Sequence, residues 1–302
     1  MNVRKQAYAY KKKAKIIISS LLRYLFLIAF SYVLLYPVLY IVVNSFKDPT
    51  DYFNPTIQWV PKTVTLLNTE MAVKAIDFFN ALKSTFVNEI IAAGLQIFSC
   101  SIAAFGLARF NFKGKKIFMG LMILSIMIPV IMTIVPSYAN YMNLGLIGTP
   151  LVFWLPAITS VGLNGGLYIY IYTQFFKGIP REIEEAAWID GAGVWKTFFN
   201  IVVPSSGVAY LTVSVFSIVW NWNDYYLPQM FLSEDQTLSV KLANLPTNIS
   251  AWLSQSYGAT AKLNIAMVLI AACLIYILPL LIFYVVIQKK FIASVATSGI
   301  VG

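Results

Sequence analysis

Histidine is absent from the 302 residues, and only two are cysteine. A serine–histidine–acid hydrolase site therefore cannot be assembled, and no ordinary transition-metal ligand set is available. Charge is scarce as well: charged residues make up 11% of the chain and hydrophobic residues 59%. Soluble domains carry roughly 25% charged residues. A chain so poor in charge cannot clothe a globule of this size, so an ordinary cytosolic enzyme, a nucleic-acid-binding domain and a disordered chain are all excluded. A phosphate-binding loop of the form glycine, four residues, glycine, lysine and Ser or Thr is also missing. Neither Gly114-Lys115-Lys116 nor Gly193 to Thr197 has the spacing, so the chain is not expected to hydrolyse ATP. Cys100 and Cys273 both lie in apolar runs and read as packing residues, not a disulfide.

What is present is long apolar runs, with a mean hydropathy of +0.74. A membrane-crossing helix needs about 20 apolar residues, and six segments qualify. They lie near Leu21–Phe46, Ser84–Ala108, Ile117–Tyr138, Leu151–Phe176, Ile201–Trp222 and Ile265–Ile287. The runs are continuous and do not alternate with period two, which excludes barrel strands. The fold expected is all-α, a polytopic membrane protein with six transmembrane helices in a lipid bilayer.

The net charge is +10, with 22 basic and 12 acidic residues. Basic residues collect in cytoplasmic loops. With the N-terminus inside, the inner segments hold Arg4, Lys5, Lys11, Lys12, Lys13, Lys15, Arg23, Arg109, Lys113, Lys115, Lys116, Lys177, Arg181, Lys196, Lys289 and Lys290. The outer segments hold only Lys47, Lys62, Lys74, Lys83, Lys241 and Lys262. Both termini are accordingly placed in the cytoplasm. The first span is too long for a signal peptide and reads as an uncleaved anchor.

This gives a working division of the chain. Residues 1–20 form a basic cytoplasmic N-terminus, 21–46 the first span and 47–83 an extracytoplasmic loop. Residues 84–287 form a transmembrane core with a cytoplasmic loop at 177–200, and 288–302 a cytoplasmic tail. The first outer loop is broken by Pro49, Pro55 and Pro61, and its second half, Glu70 to Lys83, has the pattern of a short helix at the membrane interface. The third outer loop, Asn223 to Asn264, is long enough either to dock an external partner or to cap the spans.

Ionisable residues inside the spans would mark an ion pathway. Only Glu89 lies clearly within one, near its outer end, where partial solvation is expected. Arg23 and Arg109 lie near inner ends and are expected to snorkel. Pro129, Pro136, Pro156 and Pro279, with Gly162, Gly165 and Gly166, point to kinked or closely packed helices.

The cytoplasmic loop 177–200 differs in kind. It carries Arg181, Glu182, Glu184, Glu185, Asp190 and Lys196 among apolar residues at helical spacing. Pro180 suits a helix start, and carboxylates in the first turn suit the positive end of the helix dipole. Gly191 and Gly193 interrupt the pattern. Trp188, Ile189 and Trp195 are bulky, Ala186 and Ala187 are slim, and together they suit a knob for another protein's socket.

Glu185-Ala186-Ala187-Trp188-Ile189-Asp190-Gly191, followed by Ile201-Val202-Val203-Pro204, resembles the EAA signature of binding-protein-dependent ABC importer permeases. In that pattern Glu-Ala-Ala is followed after three residues by Gly, and after nine more by Ile, one residue and Leu-Pro. Val203 stands where the family has Leu. Leu107 to Lys116 resembles the family's loop after the second span, and Trp222-Asn223-Asp224-Tyr225-Tyr226-Leu227-Pro228, Thr237-Leu238 and Trp59-Val60-Pro61-Lys62 resemble the carbohydrate-uptake, maltose-permease-like branch.

The resemblance implies a type I ABC importer permease fold in the cell membrane. It implies a second permease subunit forming a heterodimer, a cytoplasmic ABC ATPase dimer that binds the ATP, and an extracytoplasmic solute-binding protein that delivers a sugar. No cofactor is expected on this chain. Glu185, Ala186, Ala187, Trp188, Asp190, Gly191, Ile201 and Pro204 would form the ATPase-coupling element. Within it Glu185 would accept hydrogen bonds, the alanines would permit close approach and Gly191 would make a sharp turn. Residues Phe291 to Gly302 would also reach the ATPase. The alternatives are the same machinery for an amino acid or polyol, an ion-coupled secondary transporter, and a non-transport scaffold.

Overall fold

The computed structural model describes residues 2–233 and 236–298, and everything regular among them is helical apart from one isolated bridge, Lys47 to Val64. In chain order the α-helices are α1 (Asn2–Ser45), α2 (Pro49–Tyr52), α3 (Leu67–Ala75), α4 (Phe78–Thr85), α5 (Ile91–Arg109), α6 (Lys115–Met127), α7 (Val130–Asn143) and α8 (Leu151–Ile158). They continue as α9 (Gly165–Lys177), α10 (Arg181–Ile189), α11 (Val194–Thr197), α12 (Val203–Ser205), α13 (Gly207–Asn223), α14 (Tyr226–Phe231), α15 (Leu238–Tyr257) and α16 (Ile265–Ser298). The last residues of the expected tail, 299–302, and the side chains of 291–298 lie outside the described residues.

Three helical stretches are long and apolar enough to cross a membrane unbroken: Lys15–Ser45, Phe78–Arg109 and Ala259–Lys290. Two further pairs qualify if each bent pair is one span, which gives up to five among the described residues. The run expected as the third span, with Pro129 and Pro136 pointing to a kink, is α6 and α7, which meet at 101°. Pro129 sits at the corner in extended conformation, because proline cannot donate to the preceding turn and its ring forbids a continued helix. The fifth run bends by 80° between α12 and α13. A π-turn at Phe198–Val202 precedes Pro204 there. The fourth run breaks between Ile158 and Gly165, where Ser160 and Asn164 adopt left-handed backbone conformations. Hydropathy alone cannot see these breaks, because proline and glycine interrupt geometry without interrupting apolarity.

Residues 2–20 of the basic segment and the first expected span form one continuous helix. No residue in the most apolar stretch of α1 is fully buried within this chain, although α1 meets α16 and Tyr36 packs edge-on to Trp59 with centroids 5.4 Å apart. Its end is stitched by Asn68, whose amide donates to the Ser45 carbonyl (3.2 Å) and the Lys47 carbonyl (2.7 Å). Asn264 donates to Asn68 Oδ1 at 2.9 Å, tying α1, α3 and the start of α16 together.

The segments expected outside the membrane are packed differently from that expectation. The stretch Glu70 to Lys83 does not lie on the surface as an interfacial helix. Met71, Ala72, Ile76 and Ala81 are buried in one core with Leu238, Leu245, Ile249 and Leu253 of α15 and Val268, Ala271 and Ala272 of α16. The long third loop is thus largely a structured cap. The apolar residues of α3, α4 and α15 bury against one another and against α16, which removes them from water. Thr85 Oγ1 accepts from the Leu238 amide at 2.8 Å, satisfying a free donor at the start of α15.

A second core is separate from this one. It joins Cys100, Ala104, Phe105 and Ala108 of α5, Tyr168, Tyr172 and Phe176 of α9, Phe198 and Val202, and Ala209 and Val213 of α13. Small residues on α5 let α9 approach closely, which is how helices pack where lipid removes the ordinary hydrophobic drive. Gly166 serves the same end: a Cβ there would sit 2.6 Å from Ser125 Oγ and 3.0 Å from the Met122 carbonyl of α6.

Candidate functional site

The charge-rich loop folds as α10, a turn and α11. Pro180 stands immediately before α10 in extended conformation, and Glu182 and Glu184 occupy the first turn. Both carboxylates face the positive end of the helix dipole. Glu185 falls one residue later, at the start of the second turn.

α10 stops at a Schellman motif. The Ala192 amide donates to the Ala187 carbonyl (2.9 Å) and the Gly191 amide to the Trp188 carbonyl (3.0 Å). Gly191 has φ +79°. Left-handed backbone disfavours a side chain, and no heavy atom lies within 4 Å of a Cβ placed there, so conformation alone demands the glycine. Asp190 is the last residue before the turn.

One side of α10 is locked to the core. Glu184 is buried and forms an ion pair with Arg109, the last residue of α5, which is buried as well. Arg109 Nη2 also donates to the Ile179 carbonyl at 3.0 Å. Arg109 therefore does not snorkel to water as its position near a span end suggested. Glu184 gives it a partner and the Ile179 carbonyl accepts a second bond, so its charge is accommodated inside. This pair is missing from the sequence reading because its members come from different loops. The only available hint was a cation at the end of an apolar run.

The other side of α10 is bare. Glu185, Ala186, Trp188 and Asp190 are exposed, and Ile189 is 87% exposed. Ala187 is half-buried. Glu185, Ala186, Trp188, Asp190 and Gly191 thus share one outward surface. Ile201 and Pro204 do not join it. They lie at the 80° corner where the chain re-enters the core, next to buried Phe198 and Val202. Phe198 packs on Phe105 with centroids 5.0 Å apart, and Trp195 stacks on Phe199 at 6.3 Å. The motif therefore splits into a presented face and a hinge-like foundation.

The one carboxylate expected inside a span is placed differently from its reading. Glu89 is 1% exposed, not partly solvated. It sits in a π-turn, Phe86–Ile90, between α4 and α5.

Comparison with known proteins follows this geometry. A family described as "Binding-protein-dependent transport system inner membrane component" matches residues 96–296. The chain is similar to the melibiose/raffinose/stachyose import permease protein of Bacillus subtilis, 30% identical over 274 residues, covering 88% of this chain and 91% of the relative. It is also similar to a probable starch degradation products transport system permease protein of Thermoanaerobacterium thermosulfurigenes, 28% identical, covering 87% and 90%. Among solved structures, a chain of a bacterial ABC transporter involved in the import of the acidic polysaccharide alginate superposes with a TM-score of 0.73 at 18% identity. That match covers 91% of this chain and 96% of the other.

Proposed function

The chain belongs to the binding-protein-dependent transport system inner membrane components, and from that premise we propose that it is one permease subunit of an ATP-driven sugar importer. Permeases of this family are not themselves enzymes, and hydrolysis belongs to separate subunits. The substrate proposed is an oligosaccharide, a class that the names of several relatives carry. The spans proposed number six, with both termini in the cytoplasm. Its partners are a second, different permease subunit, a cytoplasmic ATPase dimer and an external solute-binding protein.

The observation that carries the coupling role is the two-sidedness of α10. Its inner side is fixed through Glu184 to Arg109, while its outer side offers Glu185, Ala186, Trp188 and Ile189. A helix held this way passes displacement to the spans without bending. Trp188 and Ile189 supply apolar area for an ATPase cleft, and Glu185 supplies acceptors for charge-assisted hydrogen bonds. Closure of the ATPase dimer would push α10 and rock the spans between inward-facing and outward-facing states. The bend at Ile201 and Pro204 lies where that rocking would concentrate.

The test is reconstitution. Proteoliposomes holding both permease subunits and the ATPase, supplied with binding protein, should accumulate labelled oligosaccharide only when ATP is inside. Uptake that ignores ATP and collapses with the ion gradient would overturn the proposal.

A further inference from the structure

Two acids meet where the rod formed by α4 and α5 passes the end of α13. Glu89 sits in the π-turn Phe86–Ile90, against which α4, α5, α8 and α13 pack. Asp224 is the C-terminal cap of α13 and lies within electrostatic range of Glu89. The turn that carries Asp224 is a junction of helices. The Ser239 hydroxyl of α15 donates to the Asp224 carbonyl (2.6 Å), and the Tyr276 hydroxyl of α16 donates to the Trp222 carbonyl (3.0 Å).

Neither carboxyl is partnered as an anion requires. Both oxygens of Glu89 are buried without a hydrogen-bond partner among the described residues, and so is Asp224 Oδ2. Asp224 Oδ1 accepts one long bond from the Leu227 amide, at 3.3 Å. The C-terminal end of a helix is also the negative end of its dipole, a poor place for a carboxylate.

No cation among the described residues compensates. α8 and α13 carry no charged residue. Lys83 of α4 is exposed and Lys241 of α15 half-buried, and neither is ion-paired. Arg109 of α5 is committed to Glu184, and Lys289 and Lys290 lie toward the far end of α16. The remaining titratable groups on these helices and on α7 and α14 are hydroxyls and thiols that are neutral near pH 7. They are Tyr138, Tyr141, Tyr225, Tyr226, Tyr257, Tyr276 and Cys273, with Cys100 and Tyr210 in the second core.

A buried carboxylate without donor or counter-ion neutralises itself by keeping its proton. Two carboxyls that share such a place keep one proton between them, because both cannot ionise together. The proton turns an orphaned acceptor into a donor and needs no further ligand. A divalent cation would draw six or more oxygens, and no group of three His, Cys, Asp or Glu side chains occurs among the described residues. Burial pushes the Asp224 carboxyl up to about 6, against hydrogen bonds from the Leu227 and Tyr226 amides that favour its charged form.

We infer that Glu89 and Asp224 form a proton-binding site, holding one proton at neutral pH, that fastens the rod of α4 and α5 to the junction at the end of α13. The proton is resident and is not cargo. Its loss at alkaline pH puts two negative charges into one buried corner and loosens rod from junction. The sign follows from linkage: a site that binds its proton more tightly folded than unfolded stabilises most at low pH. Above the unfolded value of about 4, that stabilisation declines as pH rises through the folded value.

The experiment uses the full-length chain purified with the subunits it assembles with. Infrared spectra across roughly pH 5–9 read the carbonyl stretch of a protonated carboxylic acid, which a carboxylate lacks. At neutral pH the wild type should show a carboxylic acid band that is missing from Glu89→Gln. Asp224→Asn, which removes the repulsion, should shift the loss of that band to lower pH by about one unit. The wild-type melting temperature should fall as pH rises over the same range, and Glu89→Gln should flatten that slope. If Glu89→Gln does not assemble, Glu89→Met, uncharged and of similar volume, replaces it. The absence at neutral pH of any carboxylic acid band sensitive to these substitutions overturns the inference. So does a pH slope that the variant keeps in full. A wild type that melts higher in sodium than in choline buffer, with the difference lost in Glu89→Gln, assigns the site to a metal cation and overturns the proton.

Discussion

Arg109 and Glu184 form a buried ion pair that joins the inner end of α5 to the first turn of α10. Through it α10, exposed on its other side, is fastened to α5, whose residues Cys100, Ala104, Phe105 and Ala108 lie in the core.

Arg109→Ala should be far more damaging than an ordinary loss of a surface charge. It strands the Glu184 carboxylate in a buried site, which costs about 3–5 kcal/mol. The double variant Arg109→Met with Glu184→Leu removes both charges together and should recover most of that loss. Thermal unfolding in detergent reads both, and a double variant as unstable as Arg109→Ala would contradict the pairing.

Glu185→Lys addresses the opposite face of α10. The residue is exposed, so the melting temperature should hold within a degree or two. Recovery of the ATPase in co-purification should fall severalfold through charge reversal. Undiminished recovery would remove Glu185 from the docking face.

Gly191 is constrained by backbone conformation alone. Gly191→Val should cost about 1–2 kcal/mol and loosen the coupling of ATP hydrolysis to uptake, whereas Gly191→Asn should be much milder. The ratio of sugar moved to ATP hydrolysed is the measurement, and equal ratios in the two variants would argue against a need for the left-handed turn.

The segment between α1 and α3 carries a carboxylate staple. Asp51 Oδ2 accepts from the Lys62 amide (2.6 Å) and the Thr63 amide (2.8 Å). The Thr63 amide foremost, against the opposing effect of burial, holds the Asp51 carboxyl below the usual carboxylate range. A depressed pKa means that the staple's stabilisation is full above the unfolded value of about 4 and is lost as pH falls through the lower folded value. Limited proteolysis between residues 47 and 66 should therefore accelerate only below about pH 4. Asp51→Asn should show the faster cleavage already at neutral pH.

The long apolar runs were legible because lipid demands about 20 apolar residues whatever the fold. Kinks were legible too, in the prolines and glycines, but which runs break outright was not. Pro129 and Pro204 mark their corners, but Pro279 sits inside an unbroken α16, so proline alone does not say which helices bend. The face of α10 was legible from Glu185 to Gly191 because a single local segment encodes it. Arg109 and Glu184, like Glu89 and Asp224, become meaningful only when distant helices meet, and no spacing rule reports that. The burial of α3, α4 and α15 was hidden for the same reason: an amphipathic stretch looks alike whether it faces lipid headgroups or another helix.

The π-turn at Phe86–Ile90 interrupts the helix type without breaking the rod, since Phe78–Arg109 runs on as one span. Glu89 and Arg109 are therefore mounted on the same shaft, roughly 30 Å apart along its axis at about 1.5 Å per residue. A load applied at the Arg109 end would reach the buried Glu89 carboxyl as rotation or translation of a stiff body, with no slack joint in between.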